Sequence, residues 1–318
     1  MNNFLILGGS GFVGSALCER LVRRSGGGGG RISVPSRRTA RARHLLTLPT
    51  VEVVQADLHD DAQLARLVAG RDAVVNLVAI LHGSEAEFGR THVALPRRLA
   101  QACLAAGVRR VVHVSALAAD AQAPSMYLRS KAAGEAALQR PGLAVTILRP
   151  SVIFGAGDGF LNLFARLLAV LPVMPLACAS ARFQPVWLDD VAEAIVRALA
   201  DSSTAGETLE CAGPRVYTLA ELVRLAGRWS GHERPVLALP AALGHLQATI
   251  MEWLPGETLM SRDNVRSMQV PNIASGSKPG LERLGIDATA LEAIGPGMLA
   301  ASGELARLNR WRAAAHSG

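Results

Sequence analysis

Through the first half of the chain, short apolar runs alternate with longer stretches of helical periodicity. That alternation predicts strands and helices in succession and a parallel α/β sheet. Residues 3–7 read as the first strand and 12–24 as the helix after it. Further strands are expected at 31–35, 51–56, 73–78, 110–115 and 144–148, with helices near 61–69, 92–106 and 126–139. Residues 25–30 form a low-complexity glycine loop to which no chemistry is assigned. Beyond Pro150 the pattern loosens, with more Pro and Gly and mixed elements, and a smaller substrate lobe is expected there. No internal repeat is visible.

Composition narrows the function classes. A chain of 318 residues, 50% hydrophobic and 19% charged, folds as a globular protein with a substantial core. Its net charge of +7 suits an anionic partner such as a nucleotide phosphate or an acidic lipid. Nucleic acid is not expected, because there is neither zinc-finger spacing nor a basic helix interleaved with aromatics. Cys18, Cys103, Cys178 and Cys211 lie far apart without a CxxC, as expected of buried thiols in a reducing compartment with no metal site.

Residues 4–7 are too short for a signal-peptide core and run directly into glycines. The apolar stretch 160–178 carries Asn162, Arg166, Pro172 and Pro175, which argues against a spanning helix. The stretch 236–254 holds His245, Gln247 and Glu252 and reads as a buried or interfacial amphipathic helix. A cytoplasmic protein, soluble or peripheral to a membrane, is expected.

Three motifs carry the chemistry. Gly8, Ser10, Gly11, Phe12, Val13 and Gly14 follow the first strand and open the first helix. Gly8 and Gly11 permit a tight turn and close approach to a pyrophosphate. Gly14 lets the helix pack on the sheet, with phosphate at the helix N-terminus. At the end of the second strand stand Ser36, Arg37 and Arg38, and no acidic residue lies between Glu19 and Glu52. An acidic residue there would hold the ribose hydroxyls of NAD(H), whereas arginine forks suit a 2′-phosphate, so NADP(H) is favoured over NAD(H). Asp57 and Leu58, after the third strand, are placed beside the adenine. Residues 76–80, with Ala79, are placed beside the nicotinamide-side ribose.

The third motif is Tyr127-x-x-x-Lys131. The chain has two tyrosines, and only Lys131 and Lys278 among its 33 basic residues are lysines. Chance would produce such a spacing about once in 80 sequences of this composition. On a helix the two side chains share a face, and an ammonium beside a phenol lowers its pKa toward that of a working acid/base. Asp189 is read as an N-cap for a helix running to Leu199, with Asp190 beside it at the same end. His82 and His92, near the expected cofactor end of the sheet, are read as lone histidines, structural or exposed, because the sequence offers no motif that pairs them with a base or a metal.

Together these residues resemble the short-chain dehydrogenase/reductase superfamily in its extended, atypical branch. Leu148-Arg149-Pro150 through Phe154-Gly155, the run from Val186 to Ile195 and the run from Glu207 to Leu222 are similar to segments of nucleotide-sugar epimerases. Ser261 to Arg266 and Gly285 to Ala293 are similar to the tail of the nucleotide-binding accessory subunit of respiratory complex I and its bacterial relatives. The resemblance implies a doubly wound parallel sheet (Rossmann) spanning residues 1–155. It implies a substrate or partner lobe over 156–318, with segments near 183–212 returning to the core.

It also implies that Tyr127 is the acid/base, that Lys131 lowers its pKa and holds the ribose, and that a hydroxyl orients the substrate oxygen. That hydroxyl position aligns with Ala116, leaving Ser115, which strand alternation points to the other face, as the substitute. Two functions follow from the resemblance. One is NADP(H)-dependent hydride transfer, as an epimerase, as a reductase of a lipid-like or quinone substrate, or as a sterol-type dehydrogenase. An apolar small-molecule substrate suits the apolar stretches at 160–178 and 236–254. The other is a non-catalytic NADPH-binding assembly or stability subunit linked to respiratory complex I or ubiquinone biosynthesis.

Overall fold

In the computed structural model, residues 3–25, 30–240, 249 and 261–300 are described. Strand β1 (Asn3–Leu7) buries Leu5, Ile6 and Leu7 completely, with alternate residues facing two separate cores. It leads into α1 (Phe12–Arg24), then β2 (Arg31–Ser36), β3 (Val51–Gln55), α2 (Asp61–Val68) and β4 (Ala73–Asn76). After these come α3 (Glu85–Phe88), α4 (Leu95–Ala105), β5 (Arg110–Val114), α5 (Met126–Leu138) and β6 (Ala144–Pro150). The later elements are β7 (Ile153–Phe154), α6 (Leu161–Val170), β8 (Met174–Leu176), β9 (Arg182–Phe183), β10 (Val186–Trp187) and α7 (Leu188–Ala200). Then follow β11 (Thr208–Cys211), β12 (Tyr217–Thr218), α8 (Leu219–Ser230), β13 (Val236–Ala238) and a short helix, Arg262–Ser267.

Seven strands form one parallel sheet in the order β11-β6-β5-β4-β1-β2-β3. Helices α1 and α7 cover one face, where Leu17 and Ile195 meet Ile6, Val34, Val75 and Val112. The other face lies under α2, α4 and α5, where Leu64, Leu99 and Leu138 meet Leu5, Leu7, Val74 and Val111. With both faces covered, apolar residues fill most strand positions, as in other parallel sheets. Strand order reverses between β1 and β4, which opens a crevice at their C-terminal ends.

A third core gathers Phe154, Phe164 and Leu168 with Leu222 and Val223 of α8 and with Leu291 and Leu299. The apolar stretch 160–178 resolves into the ten-residue helix α6 and the strand β8. No helix among the described residues is long and apolar enough to cross a membrane. Stretch 236–254 begins as β13 paired with β8, and its residues 241–248 and 250–254 lie outside the described residues, as do glycines 26–29.

Segment 261–300 is stitched back onto the sheet. The Asn272 side chain accepts from Ser151 Oγ at 2.7 Å, and Asp190 accepts from the Thr289 N–H at 2.7 Å.

Three sequence expectations need correction. The helix expected at 92–106 starts earlier, at Glu85, because Ser84 and Glu87 form a capping box. Between α3 and α4 the chain widens into a π-helical turn, Gly89–Ala94. Pro96 has no N–H to give the His92 carbonyl, and a Cβ on Gly134 of α5 would collide with that carbonyl. Asp189 does not cap α7: Trp187 holds the cap position, and Asp189 and Asp190 sit inside the first turn. Cys178 is half-buried, whereas Cys18, Cys103 and Cys211 are fully buried, and burial pushes these three thiols up to about 12.

Candidate functional site

Because the sheet is parallel, the glycine turn, Arg37 and Arg38, Asp57 and Leu58, Ala79 and Ser115 all follow C-terminal strand ends on one edge. Gly8 takes φ +81°, a left-handed conformation that lets the chain turn sharply after β1. Gly14 is required for a different reason: a Cβ there would lie 2.5 Å from Gly9 Cα, so α1 packs directly on the turn. The N-cap of α1 is Gly11, which contributes no side-chain cap, and the first turn holds no acidic residue. The open N–H groups of this thirteen-residue helix, with Ser10 and the exposed Gly11 at its mouth, form a seat for an anion. Phe12 reaches toward Gly155, where an added Cβ would come within 3.2 Å of its ring.

Arg37 and Arg38 are exposed beyond β2 and engage no acidic partner among the described residues. Ser36 Oγ bonds both the carbonyl and the N–H of Arg38, which fixes the turn while leaving both guanidiniums free for an anion. Asp57 accepts from the His59 N–H at 3.0 Å, which holds the Asp57-Leu58 turn, and Ala79 is exposed.

Tyr127 and Lys131 occupy the second and sixth positions of α5. Lys131 is 2% exposed, and its Nζ donates to the Val114 carbonyl at 2.8 Å. Burial pushes its ammonium down from 10.5 to about 8, and Glu135 one turn further on counters this in part. Glu135 is itself held by the Arg149 fork at 2.6 and 2.9 Å.

Burial pushes the Tyr127 phenol up from 10.0 to about 12. An ammonium that lowers the phenol's pKa is the sequence expectation; in the fold desolvation governs both groups, and the two shifts run in opposite senses. Ser115 is 4% exposed, and its Oγ is buried without a hydrogen-bond partner. Ala116, at the position where the resemblance expects a hydroxyl, packs against Tyr127.

His92 is bound into this site, contrary to its reading as a lone histidine. Its Nε2 accepts from the Ile80 N–H at 3.0 Å, so Nδ1 carries the proton and donates to Ser130 Oγ at 2.8 Å. Ser130 Oγ in turn donates to the Tyr127 carbonyl at 2.7 Å. Burial, reinforced by the Lys131 charge, pushes the imidazole down to about 3 and keeps it neutral. Phe88 and His92 present ring edges to Tyr127 at 6.3 and 5.7 Å between centroids. The loop after β4 and the start of α5 are thereby tied together.

Asp263 was also missed. Its carboxylate, 6% exposed, accepts from the N–H groups of Met126 at 2.8 Å and Tyr127 at 2.9 Å. No local signal could have revealed a cap that lies 136 positions away from the residue it holds. No group of three or more metal-ligating side chains occurs among the described residues.

Comparison with known proteins agrees with this geometry. The profile of the NAD dependent epimerase/dehydratase family matches residues 4–212. The mouse protein NADH dehydrogenase (ubiquinone) 1 alpha subcomplex subunit 9, mitochondrial, is 31% identical over 298 residues, 90% of this chain and 77% of that one. A ceramide reductase of Caulobacter vibrioides is 32% identical over 74% of this chain and 73% of its own. Among solved structures, the dTDP-glucose 4,6-dehydratase of Streptomyces venezuelae with NAD bound superposes with a TM-score of 0.74. That match has 24% identity and covers 97% of this chain and 98% of the other. With an NAD(P)-binding Rossmann sheet and a profile match over most of its length, the chain belongs to the NAD-dependent epimerase/dehydratase family of extended short-chain dehydrogenases/reductases.

Proposed function

We propose that the chain holds NADP(H) across the C-terminal ends of β1, β4 and β5, and that holding it is the protein's first function. The observation that carries this reading is the buried Lys131 ammonium at the C-terminal end of β5, one strand away from the strand-order reversal between β4 and β1. A cation in that position is stabilised when ribose hydroxyls take up its remaining N–H groups. The pyrophosphate seats on Gly11, Phe12 and Val13 at the start of α1, and Asp57 and Leu58 border the adenine. Arg37 and Arg38 supply two free guanidiniums to a 2′-phosphate, which favours NADP(H) over NAD(H). Ala79 and its neighbours face the second ribose. Three features suit retention of the dinucleotide without turnover: the phenol held near 12, the lysine bonded to Val114, and Ala116 where a hydroxyl is expected. The similarity to a respiratory-complex subunit supports a role as an assembly or stability subunit docked on such a complex.

A second reading is reduction of a carbonyl in an apolar substrate. It is favoured by the placement of Tyr127 one turn before Lys131, and by the similarity to a ceramide reductase. In that reaction a bound NADPH would supply the hydride for the carbonyl carbon, and Tyr127 would give its proton to the carbonyl oxygen. Lys131 then stabilises the phenolate left behind.

Thermal-shift titration with NADPH and NADH tests the first reading, with Arg37→Ala/Arg38→Ala as the control for cofactor choice. Stabilisation by neither dinucleotide would end it, and preference for NADH would end the role given to the arginines. A screen for NADPH oxidation against long-chain ketones, quinones and sugar nucleotides, with Tyr127→Phe alongside, separates the two readings.

A further inference from the structure

The N-terminus of α5 is held from two directions. Its own N-cap, Ser125, accepts from the Leu128 N–H at 3.2 Å, an ordinary local cap. That leaves the first two N–H groups of the helix, those of Met126 and Tyr127. Both are taken by the carboxylate of Asp263, one oxygen each, at 2.8 and 2.9 Å. Asp263 is buried and sits in the first turn of the short helix Arg262–Ser267, which is closed by its own capping box between Ser261 and Asn264. Its neighbour Asn264 reaches the Leu81 carbonyl in the loop after β4 at 3.5 Å. One short helix therefore touches both walls of the site, the end of the loop bordering Ala79 and the turn of α5 that carries Tyr127.

From this geometry we infer that Asp263 is the positioning residue for Tyr127: its carboxylate fixes the first turn of α5 at Met126 and Tyr127 and so sets where the phenol stands over the cofactor. The arrangement resembles a cap in which each oxygen accepts a charge-assisted bond along the helix dipole. The Asp263 carboxylate takes the N–H of Tyr127 itself, and the Ser130 hydroxyl takes the same residue's carbonyl. Both polar backbone groups of Tyr127 are thus held by side chains, from opposite sides.

The inference rests on the reading that Tyr127 stands at the nicotinamide end, and its test does not require turnover. The chain has only two tyrosines, so a Tyr217→Phe background leaves Tyr127 as the single phenol, and its ionisation can be followed by ultraviolet absorbance. Ionisable groups placed around it are His92, Lys131 and Asp263, and the first is neutral throughout the alkaline range.

In that background Asp263→Ala is expected to bring the phenol down from about 12 toward its ordinary 10.0 and to speed amide exchange at Met126 and Tyr127 at least tenfold relative to Leu128. Asp263→Asn keeps an acceptor oxygen and moves both readouts less. Should Asp263→Ala fail to fold, Ser261→Ala loosens the presenting helix without touching the carboxylate and is expected to shift both readouts in the same direction. A folded Asp263→Ala protein with a lower melting temperature but an unmoved phenol and unchanged exchange at Tyr127 would make Asp263 a structural cap only, and the inference would be wrong. NADPH titration of the parent on the same samples reports separately on the dinucleotide reading, so failure of one is not mistaken for failure of the other.

Discussion

Lys131 is a buried charge in the candidate site, and replacing it with Met tests whether the fold bears its cost. Methionine keeps the length and volume of the side chain and removes the ammonium. In the folded chain burial brings the lysine from 10.5 to about 8, which corresponds to about 3 kcal/mol of destabilisation at neutral pH. Below pH 8 both folded and unfolded chains carry the proton, and the fold bears the whole cost. As pH rises through about 8 the folded chain releases its proton while the unfolded chain keeps one up to 10.5, so wild-type stability climbs across that window. Between pH 7 and pH 9 the gain amounts to about 1 kcal/mol. The buried thiols of Cys18, Cys103 and Cys211 act with the opposite sign above pH 9, since their protons are retained on folding up to about 12. That contribution cancels when Lys131→Met is compared with wild type at each pH. Denaturant unfolding of both proteins from pH 7 to 9 should therefore give a difference that narrows by about 1 kcal/mol. A difference constant with pH would mean that Lys131 titrates as a solvated lysine, and the reading of it as a dry cation awaiting ribose hydroxyls would fall.

Other substitutions probe the remaining parts. Gly14→Ala places a methyl 2.5 Å from Gly9 Cα and should cost about 1–3 kcal/mol and abolish NADPH-induced stabilisation, both measured by thermal shift. His92→Phe strands the Ile80 N–H and should cost about 1–3 kcal/mol. Because the His92 imidazole is held near 3 against an ordinary 6.5, its contribution is full above pH 6.5 and is lost as pH falls toward 3. The Phe variant should accordingly show a shallower acid limb in denaturant unfolding, the remaining slope coming from the buried His113, from His59 and from carboxylates held low by their partners, such as Glu193 and Asp201. Ser115→Ala removes a buried hydroxyl that has no partner, so it should be neutral or stabilise by up to about 1 kcal/mol in thermal melts. If Ser115 instead orients a substrate, the same variant lowers turnover in the NADPH-oxidation screen while leaving stability as predicted.

How far the sequence could be read depended on how local each determinant is. The strands of the first half were legible because double-sided burial writes itself as runs such as Phe4 to Leu7, and β1 and α1 have the bounds that periodicity gave them. The glycine turn was legible because the needs of Gly8 and Gly14 are local: a left-handed φ at the one, and room against Gly9 at the other. The start of α3 was also written locally, as Ser84 and Glu87, but a three-residue signal is easily passed over in favour of the longer periodic stretch behind it. The Tyr127–Lys131 spacing placed both groups on one helix face, yet it could not say which influence governs their acidity. Spacing specifies proximity, whereas desolvation depends on everything else packed around the pair, including Phe88, His92 and Ala116 from three other segments. Asp263 marks the limit of local reading. Its partners are two backbone N–H groups, which every residue but proline carries, so neither end of the contact leaves a mark in the sequence. Residues that bind a ligand through their own chemistry can be found from composition and spacing. Residues that act by holding another residue's backbone are found only once the fold has brought them there.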